Sequence, residues 1–160
     1  MFKTILWATD GSETAAKALP FALGLAEPDN ATLVVVHLRE IFVGRAGGYP
    51  VLADEAELRD QIDQQVKDLQ SVGREATFIV RTSASGHTAR TIAEIAQEVG
   101  ADLIVVGTHG YGRVGGLLLG SVTHGLLHAG VCPVLAVPTG TPAEAPRREL
   151  AATGSQGGSK

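Results

Sequence analysis

The chain has 160 residues, 44% of them hydrophobic, and a formal net charge of −4. That is length enough for one domain with a full core, and an acidic balance with no basic stripe argues against a nucleic-acid partner. A single cysteine, Cys132, excludes an internal disulfide and suits a reducing, cytoplasmic setting, while MFKTILWATD is too short an apolar run for a secretory signal and no run approaches membrane-spanning length.

Thr4 to Ala8 reads as a buried strand, which Thr9-Asp10-Gly11-Ser12 breaks. Ser12 or Asp10 can cap the helix that follows, and Glu13 puts a negative charge in its first turn. Ala15, Leu19, Ala22, Leu23 and Ala26 give that helix an apolar face, and Pro20 inside it is expected to kink or split it. Thr32 to Leu38 is a second strand. Arg39 to Ala53 carries Gly44, Gly47, Gly48 and Pro50 and reads as a long loop, a lid or mobile segment. Leu58, Ile62, Val66 and Leu69 recur at helical spacing, and Gly73 ends that helix. Ala76 to Val80 is a third strand, and Ser83 to Gly86 a turn. Ile92, Ile95, Ala96 and Val99 mark the next helix, stopped by Gly100.

The stretch from Leu103 to Pro138 organises the rest. Leu103 to Val106 is an apolar run, read as a strand buried on both faces and stopped by Gly107. Glycine recurs at Gly110, Gly112, Gly115, Gly116 and Gly120, with one cation, Arg113, among them. Val122, Leu126 and Ala129 then recur at helical spacing, and Val134 to Val137 is a last strand. After Pro138, residues 139–160 are rich in Gly, Ala, Thr, Ser and Pro and read as a disordered tail. The alternation of strand and helix implies an α/β fold: an open, five-stranded parallel sheet with helices on both faces. Ligands in such folds bind beyond the carboxyl ends of the strands, where the strand order reverses.

Strand, glycine loop and helix N-terminus together suit a phosphate. Glycine lets the backbone come close, and the helix's first N–H groups lack intrahelical partners. Ser121 can add a hydroxyl, to its own helix as a cap or to the phosphate, and Arg113 can add charge. Gly107, Gly110, Gly120 and Ser121 follow the pattern Gly, two residues, Gly, nine residues, Gly, then Ser or Thr. With this motif, the following Ser-Val-Thr and the later Cys-Pro-Val-Leu, the stretch resembles the universal stress protein family in its ATP-binding branch. It is neither a dinucleotide fingerprint nor a P-loop.

The resemblance covers about Met1 to Pro138 and implies a domain over 1–138 with strand order 3-2-1-4-5, Rossmann-like and of the adenine nucleotide α-hydrolase-like group. It implies a nucleotide held by Ala8, Thr9, Asp10, Leu38, Gly107, Thr108, His109, Gly110, Arg113, Gly120, Ser121 and Val122. Ala8, Thr9, Asp10 and Leu38 match positions that frame the adenine; the family often has proline or valine where Ala8 stands. Asp10 is the candidate to accept a ribose hydroxyl or to help hold Mg²⁺ or Mn²⁺ beside the phosphates, or it only caps the first helix. ATP is the implied ligand, with AMP or cyclic AMP as alternatives. A homodimer through the Pro133–Val137 edge strand is implied as well.

Other polar residues have plainer readings. His37 is read as a structural, hydrogen-bonded histidine and His87 has no assigned role. His109 either meets a phosphate or faces solvent. His124 and His128 lie four apart on a helix with no carboxylate beside them, so a polar helix face is favoured over a metal site. Cys132 reads as a small buried residue. No catalytic constellation emerges: no nucleophile elbow, no Walker lysine and no base for an attacking water. A nucleotide-binding protein of stress response or signalling is the first expectation. A slow ATPase or nucleotidyl-transfer enzyme, and a protein-interaction module without nucleotide, are the alternatives.

Overall fold

The apolar runs line up side by side in one sheet. The computed structural model describes residues 1–44, 47–50, 54–108, 119–138 and 140. The elements run β1 (Thr4–Thr9), α1 (Glu13–Ala26), a 3-10 turn (Glu27–Asp29), β2 (Thr32–Gly44), β3 (Gly47–Pro50), α2 (Glu55–Ser71), β4 (Ala76–Ala84), α3 (Thr88–Glu98), β5 (Leu103–Gly107), α4 (Ser121–Ala129) and β6 (Val134–Val137). Five strands pair in parallel in the order β4-β2-β1-β5-β6. Counting the parallel strands alone, that is the expected 3-2-1-4-5.

Side chains alternate across each strand, so a continuous apolar run feeds two cores at once. Ile5 and Trp7 of β1, Leu33 and Val35 of β2, and Leu103 and Val105 of β5 enter one cluster, covered by Ala18, Leu19 and Ala22 of α1 and Ile62 and Val66 of α2. Leu6, Ala8, Val34, Val36, Leu38, Ile104 and Val106 enter the other, covered by Ile92, Ala93, Ile95 and Ala96 of α3 and Leu126 of α4. Each fully buried large aliphatic contributes roughly 1.5–3 kcal/mol. Trp7, the largest buried side chain, also donates its indole N–H to Ala15 O at 3.1 Å, tying β1 to α1.

Four local expectations are corrected. The segment read as a loop from Arg39 to Ala53 is strand for much of its length. β2 continues to Gly44, pairing in parallel with β4 as far as Ile41↔Ala84, and β3 folds back on it antiparallel from Ile41↔Pro50 to Gly44↔Gly47. The reason lies in pairing and in neighbouring partners: Arg39 donates to Thr82 of β4 at 3.2 Å and Glu40 accepts from Thr88 at the start of α3, so charges that break the apolar pattern are satisfied where the strand runs. By the same ladder, Ser83 and Ala84 belong to β4 and not to a turn. Pro20 does not split its helix, since α1 is continuous and buries Ala18, Leu19 and Ala22 around it. On α4 the buried pair is Thr123 and Leu126, while Ala129 is exposed. The tail lies outside the described residues apart from Gly140. Among the described residues no helix is long and apolar enough to cross a membrane.

Candidate functional site

β1 ends in a turn that its own side chains hold. Thr9 Oγ1 accepts from the Gly11 N–H at 3.1 Å, Asp10 Oδ1 accepts from the Ser12 N–H at 2.9 Å, and Ser12 Oγ accepts from the Ala15 N–H at 3.2 Å. Ser12 is therefore the cap of α1, and Asp10 braces the turn. Gly11 has φ +80°, and a Cβ there would lie 2.2 Å from Leu58 Cδ1, so only glycine suits the position.

β5 lies against β1 in the register Ile5↔Leu103, Leu6↔Ile104, Trp7↔Val105, which brings Thr9 and Gly107 level two residues on. A Cβ on Gly107 would meet Thr14 Cγ2 at 2.8 Å and Thr14 O at 2.9 Å, so α1 sits directly on the strand end. Beyond it, the buried Thr108 donates its N–H to Val137 O at 2.9 Å and accepts from the Gly120 N–H at 2.7 Å. The hydroxyl of Thr123, 2% exposed, donates to Gly107 O at 3.1 Å. The start of α4 is thus pinned to the end of β5 at two points.

The N-cap of α4 is Gly120, with φ −68° and ψ 158°, and no side chain caps it. Ser121 is the first helical residue and exposed; with its backbone already helical it is not the N-cap of α4, one of the two roles open to its hydroxyl. The first turn holds no acidic residue. The first-turn N–H groups of a helix lack intrahelical partners, and with the helix dipole they suit an anion.

Ala8 and Leu38 are each 8% exposed and lie on the face covered by α3 and α4. With the pairings Ala8↔Val36 and Thr9↔His37, Leu38 stands one residue beyond Thr9 on the neighbouring strand. Ala8, Thr9, Asp10, Leu38, Gly107, Thr108, Gly120, Ser121 and the half-buried Val122 therefore gather at the carboxyl ends of β1 and β5, the middle of β2 and the start of α4. His109, Gly110 and Arg113 lie outside the described residues.

His37 is fully buried and hydrogen-bonded, as the sequence suggests. Nδ1 lies 3.0 Å from Thr9 O, and Nε2 lies 2.8 Å from Glu55 Oε1. Glu55, Leu58, Thr14 and Thr123 are residues that sequence reasoning missed. Thr123 carried a signal as part of the Ser-Val-Thr run, and Leu58 one as part of the helical spacing of α2. His124 and His128 are exposed with ring centroids 4.5 Å apart, edge to face. Among the described residues no group of three or more His, Cys, Asp or Glu comes together. Burial pushes the half-buried Cys132 thiol above its ordinary value, which keeps it protonated and unreactive at neutral pH.

The model of the Universal stress protein family matches residues 1–138. A universal stress protein encoded in the QAH/OAS sulfhydrylase 3′ region of Thermus aquaticus is 36% identical over 140 residues, covering 86% of this chain and 99% of its own. The crystal structure of a universal stress protein in complex with cAMP superposes with a TM-score of 0.57 at 28% identity, covering 86% of this chain and 97% of that one. A universal stress protein from Archaeoglobus fulgidus in complex with dAMP shares the fold, with a TM-score of 0.60 at 22% identity over 86% of this chain and 98% of its own.

Proposed function

The chain belongs to the universal stress protein family, and on that premise we propose that it binds an adenine nucleotide, ATP in the first instance, across the carboxyl ends of β1 and β5. The observation that carries this reading is the start of α4: an N-terminus with a glycine cap, held against β5 by Thr108 and Thr123. The similarity to a universal stress protein in complex with cAMP supports it. Ala8 and Leu38 flank the base, and Thr9 and Asp10 meet the ribose. Gly107, Gly110 and Gly120 admit the phosphates, which Thr108, His109, Arg113, Ser121 and the backbone at Val122 hold. Where Mg²⁺ or Mn²⁺ accompanies the phosphates, Asp10 is its carboxylate. The protein would then act in the cytoplasm as a nucleotide-dependent component of a stress response.

Calorimetry with ATP, AMP and cyclic AMP, joined to mass spectrometry of any co-purifying small molecule, tests the reading. Saturable binding of one of the three is expected. No binding of any at millimolar concentration overturns it.

Two features of the chain outside the site complete the proposal. β6 pairs with β5 from Ile104↔Val134 to Gly107↔Val137, and its other side meets no strand among the described residues. Such an apolar edge invites a second copy, paired antiparallel about a two-fold axis. Light scattering coupled to size exclusion should give a dimer, and Ala136→Pro, which removes an N–H from the ladder, should shift it towards monomer. The domain proper is 1–138, so truncation after Pro138 should leave melting temperature and nucleotide affinity unchanged.

A further inference from the structure

The turn Thr9–Ser12 has internal bonds, but those bonds do not orient it on the sheet. On the β5 side the pairing of β1 runs only to Trp7↔Val105, whereas on the β2 side it runs to Thr9↔His37. The root of the turn therefore hangs on β2, and His37 is the residue it meets there. We propose that His37 is a positioning residue for the nucleotide site, bolting Thr9 to the first turn of α2 through Glu55. This rests on the reading that places Thr9 and Asp10 at the nucleotide.

The chemistry of the ring supports the role. His37 is fully buried among aliphatic strand residues, where an imidazole costs free energy unless its nitrogens are satisfied. Both of its partners, Thr9 O and the Glu55 carboxylate, accept hydrogen bonds. Either both ring nitrogens donate, or Glu55 carries the proton and gives it to Nε2. In each case one proton shared along His37–Glu55 keeps both bonds made. Gly11 adds a second contact from the same turn to α2: it leaves no room for a Cβ against Leu58. The turn that bears Asp10 is thus held from α2 at Glu55 and at Leu58, one helical turn apart. Nucleotide at Asp10 and the start of α2 are consequently coupled.

The test compares wild type with Glu55→Leu, Glu55→Gln and His37→Phe by calorimetry with ATP, AMP and cyclic AMP, at a temperature where circular dichroism shows every variant folded. Glu55→Leu and His37→Phe should weaken nucleotide binding about 5- to 10-fold, the scale of one lost buried hydrogen bond. Glu55→Gln should restore the affinity, because a neutral ring can donate to Thr9 and accept from the amide. Hydrogen exchange should slow on nucleotide addition at Gly11, Ser12 and residues 56–58 in wild type, but only at Gly11 and Ser12 in Glu55→Leu. If His37→Phe does not fold, Glu55→Leu decides alone, since it leaves the fully buried His37 ring in place and replaces a side chain at the start of α2. A wild type that binds while Glu55→Leu binds equally well, or a Glu55→Gln as weak as Glu55→Leu, overturns the positioning role and leaves the site reading intact. A wild type that binds none of the three overturns both.

Discussion

Helices α1 and α4 both start at the carboxyl end of the sheet, and their caps have nearly the same backbone. Ser12 has φ −67° and ψ 156°, and Gly120 has φ −68° and ψ 158°. They differ in side chain. Ser12 bonds the Ala15 N–H, and Glu13 places a carboxylate over the positive end of the α1 dipole. Gly120 offers nothing, and no acidic residue follows it in the first turn of α4. One helix closes its own N-terminus and is a structural element. The other has neither a side-chain cap nor a first-turn carboxylate, and on the proposed reading its N-terminus meets the nucleotide phosphates. The comparison teaches that the choice lies in a single side chain, since the backbone at the cap is already set for either role.

The sharpest way to break the comparison is to make α4 like α1. Gly120→Asp fits the observed backbone, so it should cap α4 and raise stability by a few tenths of a kcal/mol. The same carboxylate would face the nucleotide phosphates, and like charges should cut affinity by at least about 10-fold. Calorimetry and chemical denaturation on one sample read both effects. A variant that gained stability and kept its affinity would remove α4 from the nucleotide site.

Making α1 like α4 is the smaller perturbation. Ser12→Ala should cost about 1 kcal/mol in urea unfolding, and Ser12→Gly only a few tenths, because glycine is tolerated as a cap. Equal losses in the two variants would show that the Ser12–Ala15 bond is not what closes α1.

The smallest expected effect lies at the opposite, amino ends of β1 and β5. Asp102 Oδ2 accepts from the Lys3 N–H at 2.6 Å and the Thr4 N–H at 2.9 Å. The backbone N–H of Lys3, then that of Thr4, holds its carboxyl below the ordinary carboxylate value. A depressed folded value adds stability above the unfolded pKa of about 4, and that stability is lost as pH falls through the folded one. Asp102→Asn should therefore lower the urea midpoint at pH 7, and the gap from wild type should narrow below about pH 4. A gap that widened on acidification would contradict the sign.

Much of this was legible in the chain. The runs Thr4–Ala8, Thr32–Leu38 and Leu103–Val106 are continuous apolar segments whose strand identity needs no partner to be recognised. The glycine spacing from Gly107 to Gly120 marked the carboxyl end of β5 and the start of α4 as the place where strand gives way to helix. Arg39 to Pro50 was illegible because its strand character comes from pairing with β4 and from folding back on itself, and its charges hide the period. Which residue caps α4 was left open, because a serine can cap or contact a ligand; the observed cap is Gly120, whose N–H is bonded to Thr108 O.

What the amino-acid order determined by itself was local: which runs can be buried on both faces, where glycine and proline break them, and that a glycine loop joins a strand to a helix. Those properties follow from hydrophobic periodicity and backbone freedom over a few residues. What only the tertiary structure decided was pairwise. It set Thr9 beside His37, His37 beside Glu55, Gly11 against Leu58 and Thr123 under Gly107. Each of those contacts joins segments that are distant in sequence or lie across a turn, and their geometry depends on how helices seat on the sheet.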